Sequence, residues 1–340
     1  MAKLRVGVVG AGLWGANHVR AFRTLPETEL VAVCDVDPAR AEKLRAEGGA
    51  AVAYTDYRKL VEDSRIEAVS VATPDFTHTP IILAALDAGK HVLSEKPLAT
   101  TEEEVAQIAD AARRAKGKLM VDFHNRVSPV IVAMHDSVAA GEIGVPQHVW
   151  TRLSNTTWVP LTMLSWAAKS SALWFLGSHV VDALRFVLGD EVRRVYAVSR
   201  EGLLATRGVP TKDFFISTLE FRKGTVVAME NSWLYSEDNP MVYDFKMEIV
   251  GDKGQLQADT SHNGAFRKLT GNGLKYADMF GATPSGGNRV GGFVFEAIAR
   301  FVDAVVHDVP LLAGVEDGLA ATRVLAAIER SAASRQPVDL

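Results

Sequence analysis

Lys96 stands where a proton could be exchanged with a bound molecule. It is the middle residue of Glu95-Lys96-Pro97, which follows a short strand-like run at residues 91–93. The ordinary pKa of a lysine is about 10.4, and burial lowers it because burial disfavours the charged ammonium. An uncharged lysine at a strand end can accept the proton of a hydroxyl group, as a general base does. An exposed Glu95–Lys96 pair before a turn is the other interpretation, and the sequence leaves both open.

His179 is a second candidate for proton transfer, because imidazole titrates near neutral pH. It lies in a Gly-x-His-x-x-Asp pattern at residues 177–182, where an apolar helix pattern begins that ends at Gly189. Asp182 follows His179 by three residues, so the two share a helix face and Asp182 could orient the imidazole. A histidine among valines and leucines is often a buried core residue, and this interpretation also stays open.

A glycine-rich turn near the start of the chain predicts an anion-binding site. The apolar run of residues 4–9 leads into Gly10-x-Gly12-x-x-Gly15 and a helix-like segment. In this pattern the first glycine makes the turn, the second admits a pyrophosphate close to the backbone, and the third lets helix and strand pack. N–H groups at the helix N-terminus then hold the anion. We predict that a dinucleotide contacts Gly10, Gly12, Leu13, Trp14 and Gly15.

Asp35 predicts which dinucleotide binds. It ends a second strand-like run at residues 30–34 and stands twenty positions after Gly15, where an acid that binds the ribose hydroxyls is expected. Asp37 adds a second carboxylate, and no lysine or arginine occurs before Arg40. Because two carboxylates repel a 2′-phosphate, we predict NAD as the cofactor and consider NADP disfavoured.

Further strand ends predict the rest of the cofactor site. Ala72-Thr73-Pro74 ends a fourth strand, and Glu95-Lys96 ends a fifth. Ligands of open parallel sheets bind beyond the carboxyl ends of the strands. We therefore expect Thr73, Pro74, Glu95 and Lys96 to line the cofactor site. His78, at the start of the next helix, is either a further cofactor contact or a solvated or capping residue.

The elements that must position these residues divide the chain at residue 123. Strand and helix patterns alternate over residues 1–123, which predicts an α/β domain with a doubly wound parallel sheet that binds NAD. Asp37-Pro38 predicts one helix start, and Thr100-x-x-Glu103 predicts a capping box at another. Residues 124–340 predict an α+β domain with an open, mostly antiparallel sheet. Its strand-like runs lie at 147–153, 192–199, 213–221, 225–232 and 244–250.

Three further features complete the predicted second domain. A helix pattern at 129–140 precedes the strands, and two apolar-striped helices at 294–307 and 316–334 follow them. Residues 261–292 are rich in glycine, asparagine and serine, and predict a long loop or a mobile arm.

Composition limits the classes of partner. The 340 residues carry a formal net charge of −4, which gives no electrostatic basis for binding nucleic acid or an anionic membrane. Apolar runs fall well short of the roughly 20 residues that span a bilayer, and the start of the chain lacks the pattern of a signal peptide. The single cysteine, Cys34, forms no intrachain disulfide. We expect a cytoplasmic protein, and no His/Cys/Asp cluster has the spacing of metal ligands.

Together these stretches resemble the glucose–fructose oxidoreductase/inositol dehydrogenase/MocA (Gfo/Idh/MocA) family. The matching motifs run in order along nearly the whole chain. They are the glycine turn, Ala72-Thr73-Pro74 with His78, Glu95-Lys96-Pro97, Asn125-Arg126, Gly141-x-Ile143-Gly144, Gly177-x-His179-x-x-Asp182, Gly251-Asp252-Lys253-Gly254 and the helix with Asp317-Gly318. Glu-Lys-Pro is the specific part, whereas many folds share the glycine pattern.

The resemblance implies a Rossmann domain followed by a domain whose open sheet packs against other subunits in a homodimer or homotetramer. It implies oxidation of a sugar or polyol hydroxyl, or reduction of the matching ketone. Carried onto this chain, Lys96 is the catalytic lysine and binds substrate, His179 is the acid/base, and Arg126 shapes the substrate pocket.

The chain departs from the family where the substrate would bind. Many dehydrogenases of the family carry an aspartate four residues before this histidine, and here that residue is Phe175. The preceding stretch, residues 165–171, replaces a loop that is commonly richer in glycine. Trp166, Lys169 and Phe175 are therefore candidate substrate contacts: the aromatic rings for a sugar face, and the lysine for an acidic or phosphorylated sugar. Packing for the rings and solvent exposure for the lysine are the alternatives.

Three functions follow as hypotheses. The first is an NAD-dependent sugar or polyol dehydrogenase in which Lys96 and His179 relay the proton. The second is a non-catalytic protein that senses NAD or a sugar, which the absence of the usual aspartate motivates. The third is a glycosidase of the same superfamily that uses NAD for a transient oxidation.

Overall fold

A six-stranded parallel sheet forms the first half of the molecule. The computed structural model describes residues 3–262, 267–270, 273–276 and 291–340. The strands are β1 (Leu4–Val9), β2 (Thr28–Cys34), β3 (Val52–Tyr54), β4 (Ala68–Val71), β5 (His91–Ser94) and β6 (Leu119–Val121). They lie in the order β3-β2-β1-β4-β5-β6, and each neighbouring pair is parallel. The order reverses between β1 and β4, so the carboxyl ends of these strands frame the crevice that binds ligands in such sheets.

Five helices connect these strands. They are α1 (Leu13–Thr24), α2 (Pro38–Gly48), α3 (Tyr57–Glu62), α4 (His78–Asp87) and α5 (Glu102–Arg114). Asp37 caps α2, as predicted. The predicted capping box at α5 is one residue out of register. The N-cap residue, whose backbone is extended, is Thr101 rather than Thr100. The Thr101 hydroxyl oxygen accepts a hydrogen bond from the Glu104 N–H at 3.1 Å.

The second half contains a seven-stranded mixed sheet. Its elements are α6 (Pro129–Ala139), β7 (Pro146–Asn155), α7 (Ser178–Leu188), β8 (Val192–Glu201), α8 (Leu203–Thr206), β9 (Lys212–Phe221), β10 (Val226–Ser232), β11 (Tyr243–Gly251), β12 (Gln255–Asp259), β13 (Arg267–Thr270), β14 (Gly273–Tyr276), α9 (Gly292–Val306), α10 (Val315–Ser334) and β15 (Val338–Asp339). The strand order is β12-β11-β7-β10-β9-β8-β15, and every pair is antiparallel except β7 with β10. The predicted mostly antiparallel sheet is confirmed, and β12 and β15 extend it at its edges.

The predicted loop at 261–292 is only partly described. Within it, β13 and β14 pair as a two-stranded antiparallel sheet, which differs from the predicted loop. Residues 263–266, 271–272 and 277–290 lie outside the described residues. No helix in the described part of the chain is both long and apolar enough to cross a membrane.

The chain divides into two compact units. The first comprises the described residues of 1–124 and 280–320, and the second those of 125–279 and 321–340. The helix α9 therefore belongs to the first unit, whereas the predicted division at 123 leaves it in the second domain. Ile298, Phe301 and Val302 of α9 are buried in the same hydrophobic cluster as Val8 and Phe22. The apolar stripe of α9 predicts a packed helix but does not reveal which sheet it covers.

Candidate active-site residues of the two units

The glycine turn after β1 has the geometry that a phosphate cradle needs. Gly10 has a φ of +106°, and a Cβ there would lie 2.4 Å from the Ala72 carbonyl oxygen. A Cβ on Gly15 would lie 1.8 Å from the Gly10 carbonyl oxygen, so both positions exclude larger residues. Gly12, at the N-cap of α1, differs because a Cβ there would meet no atom within 4 Å. Open space therefore fronts the N-terminal N–H groups of α1, which fits a bound pyrophosphate.

Asp35 is held against this turn. Its carboxylate accepts hydrogen bonds from the Ala11 N–H at 2.7 Å and from the Asp37 N–H at 2.9 Å. The side chain of Asp37 caps α2 and forms an exposed ion pair with Arg40 at 3.4 Å. Next to Asp35, the Val36 side chain is 90% exposed. A fixed acid beside an open glycine turn and an exposed apolar side chain fits the ribose and adenine of NAD.

His78 ties two strand ends together. Its ring is buried, with Nδ1 2.8 Å from the Pro97 carbonyl oxygen and Nε2 2.9 Å from the Thr73 carbonyl oxygen. The alternative of a solvated histidine is therefore wrong, and a cofactor contact of His78 stays a prediction. Thr73 and Pro74 are half-buried after β4, and the Thr73 hydroxyl accepts a hydrogen bond from that of Thr77 at 2.9 Å.

Lys96 and Glu95 are buried, so the interpretation as an exposed surface pair is wrong. Burial lowers the pKa of Lys96, and this effect outweighs the carboxylates of Glu95, Asp75 and Asp122, which act to raise it. A lysine that loses its proton more readily than usual is suited to accept the proton of a hydroxyl group.

A buried cluster of His18, Glu95 and Asp122 lies beside Lys96. His18 Nδ1 is 2.7 Å from the Ser70 hydroxyl oxygen, and its Nε2 is 3.1 Å from Glu95 Oε1 and 3.6 Å from Asp122 Oδ2. Burial acts to lower the pKa of His18, but the hydrogen bond and charge of Glu95 outweigh it and raise that pKa. Burial acts to raise the pKa of Glu95, but His18 outweighs it and holds that pKa below its usual range. His18 and Glu95 therefore form a buried ion pair.

No sequence motif identifies His18 or Asp122 as site residues. A signal for His18 existed, because it follows Gly15 by three residues and so lies on the buried face of α1. Asp122 follows β6 directly, at the same sheet edge as Thr73 and Lys96. Burial and the charge of Glu95 raise the pKa of Asp122.

Aromatic rings lie beside the glycine turn. Trp14 stacks on His124, with ring centroids 6.0 Å apart, and His124 lies 5.6 Å from the ring of Phe293 in α9. Burial lowers the pKa of His124 to about 4, so this imidazole is neutral at physiological pH. The predicted contact of Trp14 with the cofactor stays a prediction.

In the second unit, His179 is buried as the second residue of α7. A π-helical turn, Leu173–Gly177, precedes it and carries Phe175. The Phe175 ring is 6.1 Å from that of Trp166 and 6.1 Å from that of Trp233. Phe175 and Trp166 are half-buried and Lys169 is exposed. The residue that replaces the usual aspartate therefore belongs to an aromatic group.

Arg126 and Asp182 form a buried ion pair in the second unit. Asp182 accepts hydrogen bonds from Arg126 Nε at 2.9 Å and from Arg126 Nη2 at 2.6 Å. The guanidinium also lies over the ring of Phe186, 5.4 Å from its centroid. The sequence patterns give these two residues separate roles and do not predict their pairing.

A parallel sheet of this strand order, with a glycine cradle after β1 and an acid after β2, defines a dinucleotide-binding Rossmann protein. Comparison with known proteins gives the family. Residues 4–123 match the family model described as an oxidoreductase family with an NAD-binding Rossmann fold, and residues 131–257 match the C-terminal domain of the same family. The chain belongs to the Gfo/Idh/MocA family. It is an oxidoreductase that uses NAD, as the sequence predicts.

Individual relatives cover the whole chain. It is 30% identical over 341 residues to inositol 2-dehydrogenase 1 of Saccharopolyspora erythraea. The matched region covers 99% of this chain and 96% of the relative. The structure of GenD2 from gentamicin A biosynthesis in complex with NAD has a TM-score of 0.88 at 26% identity and covers 100% of this chain and 97% of its own. An oxidoreductase domain protein from Kribbella flavida has a TM-score of 0.82 at 27% identity, with coverage of 100% and 99%.

Proposed function

We propose that this enzyme oxidises a secondary hydroxyl group of a sugar or polyol, or reduces the corresponding ketone. The observation that carries the proposal is a buried Lys96 with a lowered pKa at the strand edge that holds the glycine cradle. The relative from Saccharopolyspora erythraea is an inositol 2-dehydrogenase, which supports a cyclic polyol or a sugar as the class of substrate.

The residues of the chain divide the work around the hydride transfer. NAD, when bound, supplies the acceptor for the hydride of the substrate carbon. The N–H groups at the start of α1 hold its phosphates, and Asp35 holds a ribose. Lys96 Nζ, in its uncharged form, accepts the hydroxyl proton and becomes an ammonium. In the reverse direction the Lys96 ammonium gives this proton back to the carbonyl oxygen of the ketone, and His179 is the second acid/base of the proton relay.

We further propose that Phe175 and Trp166 present an aromatic surface to the substrate. The usual aspartate would accept hydrogen bonds from a hydroxyl group, whereas the half-buried Phe175 ring offers only an apolar face. Aromatic rings pack well against the C–H face of a sugar. Exposed Lys169 would contact an acidic or phosphorylated group, and Arg126 would shape the pocket through its pair with Asp182.

Assembly into a homodimer or homotetramer is also proposed. Large apolar side chains are exposed on one face of the seven-stranded sheet: Trp150, Tyr196, Val198, Ile216 and Val226. Register places Ile216 opposite Val198 on the neighbouring strand. An apolar patch of this kind typically marks a protein interface. Light scattering should give a multiple of the chain mass, and the double substitution Trp150→Glu/Ile216→Glu should give monomers; a wild-type monomer contradicts the proposal.

The decisive experiment is a panel of sugars and polyols assayed for NAD reduction, followed by substitution of the lysine. Lys96→Ala should lower kcat by about 10²-fold or more, in line with the loss of a general base, while the Kd of NAD changes little. His179→Ala should have a similar effect. Lys90→Ala is a matched control, because Lys90 lies at the opposite end of β5 and donates to the Ile66 carbonyl oxygen at 2.6 Å.

The outcome separates the three hypotheses. Unchanged turnover in Lys96→Ala and His179→Ala contradicts the proposed roles. Tight NAD binding with no turnover over the whole panel supports a sensing protein. Release of nitrophenol from aryl glycosides without a net change in NADH identifies a glycosidase.

A further inference from the structure

Asp122 is an unusual carboxyl group. Its side chain is fully buried, and neither oxygen has a hydrogen-bond partner among the residues that the structure describes. Buried carboxylates normally accept two or more hydrogen bonds or pair with a cation. Its Oδ2 lies 3.6 Å from His18 Nε2, which also faces Glu95 Oε1 at 3.1 Å. The Asp122 carboxyl group, directly after β6, therefore has no hydrogen bond in the described part of the chain. It can act on the groups around it through its charge.

The chain connects this carboxyl group to Lys96 by two routes. Asp122 follows β6 and Lys96 follows β5, and these neighbouring parallel strands end at the same edge: the Asp122 N–H donates to the Ser94 carbonyl oxygen at 2.8 Å. The second route runs through His18 and Glu95, since Glu95 Oε2 accepts the Lys96 backbone N–H at 3.3 Å. The charge state of the cluster thus acts on Lys96 over a short path through buried protein, where charges interact more strongly than in water.

Five charged or titratable groups surround Lys96 or Asp122. They are His18 from α1, Asp75 from the turn after β4, Glu95 from the end of β5, and Asp122 and His124 from the chain after β6. Glu95, Asp75 and Asp122 favour the charged lysine, whereas burial favours the neutral lysine. His18 lies within ion-pair distance of both Glu95 and Asp122, so its positive charge offsets part of the negative charge of these two carboxylates.

We propose that Asp122 and His18 are positioning residues that set the protonation of Lys96 by charge. Asp122 is the buried carboxyl group without a hydrogen bond in the described part of the chain, and in its ionised form it favours the ammonium. His18 opposes this influence, because its imidazolium faces both Glu95 and Asp122. The inference rests on the proposed function, because it takes Lys96 as the group that exchanges the proton. Neither residue has to touch substrate or cofactor for this role.

The test measures the protonation of Lys96 without a substrate. Full-length enzyme, dialysed against a chelator, is acetylated briefly with acetic anhydride over a range of pH, with and without NAD. Mass spectrometry follows the peptide that contains Lys96. Since only the uncharged amine reacts, the midpoint of the rate against pH reports the pKa of Lys96.

Asp122→Asn removes the charge with little change in shape, so the midpoint should move down by about one pH unit. His18→Gln leaves Glu95 without its cation, so the midpoint should move up. Asp122→Ala is a second variant with the same expected sign as Asp122→Asn if the asparagine variant fails to fold. Opposite shifts from two neighbouring residues are the signature of a charge effect, which a merely structural role does not produce.

Asp63→Asn is the matched control. Asp63 is a carboxylate in the same unit with a side chain only 8% exposed, and its partners are Arg65 and Tyr54 rather than Lys96. It should leave the midpoint unchanged. Unchanged midpoints in the Asp122 and His18 variants, or shifts of the same sign, overturn the inference.

The experiment also separates this inference from the proposed function. If Lys96→Ala keeps its turnover, the proposed function fails whatever the acetylation midpoints show. If Lys96→Ala loses turnover but the midpoint does not respond to Asp122→Asn or Asp122→Ala, only the inference fails. Once a substrate is known, the acidic limb of the kcat/KM profile should move in the same direction as the midpoint.

Discussion

The two units build their functional residues in different ways. In the first unit, Asp35, Thr73 and Lys96 follow three strands of one parallel sheet, and the strand register alone brings them to one edge. In the second unit, His179 follows an irregular π-helical turn whose Phe175 belongs to an aromatic group, and Asp182 of the same helix as His179 pairs with Arg126. Regular strands fix position through the backbone, whereas the second site depends on how individual side chains pack. The first site should therefore be the more sensitive to backbone changes and the second to changes of side-chain partner.

The largest expected effect tests backbone fit in the first unit. Gly15→Ala places a Cβ 1.8 Å from the Gly10 carbonyl oxygen, so it should lower the free energy of unfolding by about 3 kcal/mol and abolish NAD binding. Gly12→Ala meets no atom within 4 Å, so its stability should fall by only about 0.5 kcal/mol while NAD binding weakens tenfold or more. Urea unfolding and NAD titration measure the two quantities. Equal losses of stability in both variants contradict the proposed cradle.

The next effect tests side-chain pairing in the second unit. Arg126→Met leaves the buried Asp182 without its bidentate partner and should lower the free energy of unfolding by about 3 kcal/mol. Arg126→Met/Asp182→Leu should recover much of that loss, because no buried charge is then left unpaired. Arg193→Met, which breaks the exposed pair with Glu220, is the control and should change little. A double variant less stable than the single variant contradicts this account.

Cofactor choice should respond more weakly than stability. Asp35→Ala removes the acid that is fixed by Ala11 and Asp37, so the Kd of NAD should rise by about 10- to 100-fold. Asp37→Asn keeps a good N-cap for α2 but removes a charge, so NADP should bind several-fold more tightly while NAD binding is retained. Isothermal titration with both dinucleotides measures the ratio. An Asp37→Asn enzyme with unchanged preference shows that Asp37 does not repel the 2′-phosphate.

The smallest expected effect concerns the aromatic group. Phe175→Leu keeps an apolar side chain but loses the ring, so KM for the substrate should rise by about two- to tenfold with a smaller change in kcat. Phe221→Leu changes a fully buried phenylalanine of β9 in the same unit and should lower stability without a change in KM. If Phe175→Leu changes kcat and not KM, the ring acts on the reaction rather than on binding.

The sequence predicts the first site well because its signals are local. Each strand is a short apolar run, so the end of the run predicts which residues lie at the carboxyl edge of the sheet. Asp35 and Lys96 are examples. Gly10 and Gly15 lie so close to neighbouring backbone atoms that a Cβ does not fit at either position. The cluster of His18, Glu95 and Asp122 is not predictable in this way, because its members lie far apart in the sequence. His18 and Glu95 are separated by 77 positions, and no local pattern indicates such a pair.

The second site was less predictable for the same reason. The five central strands of its sheet are confirmed, since alternation and turn residues mark them. The Arg126–Asp182 pair spans 56 positions, and the π-helical turn before His179 has no sequence signature in the pattern of apolar residues. Only the family resemblance indicates that Phe175 is unusual. Its contacts with the rings of Trp166 and Trp233 arise from tertiary packing, which local sequence does not predict.

The helix α9 has a consequence for how the protein is made. Its residues Ile298, Phe301 and Val302 complete a core that β1 begins at the other end of the chain. Ribosomes synthesise chains at about 5–20 residues per second, so the first unit waits roughly 15 to 60 s after β1 emerges before α9 can cover it. During that interval an apolar face of the sheet is open to chaperones and to aggregation. The second unit also depends on late residues, since it includes residues 321–340, which follow α9 in the chain.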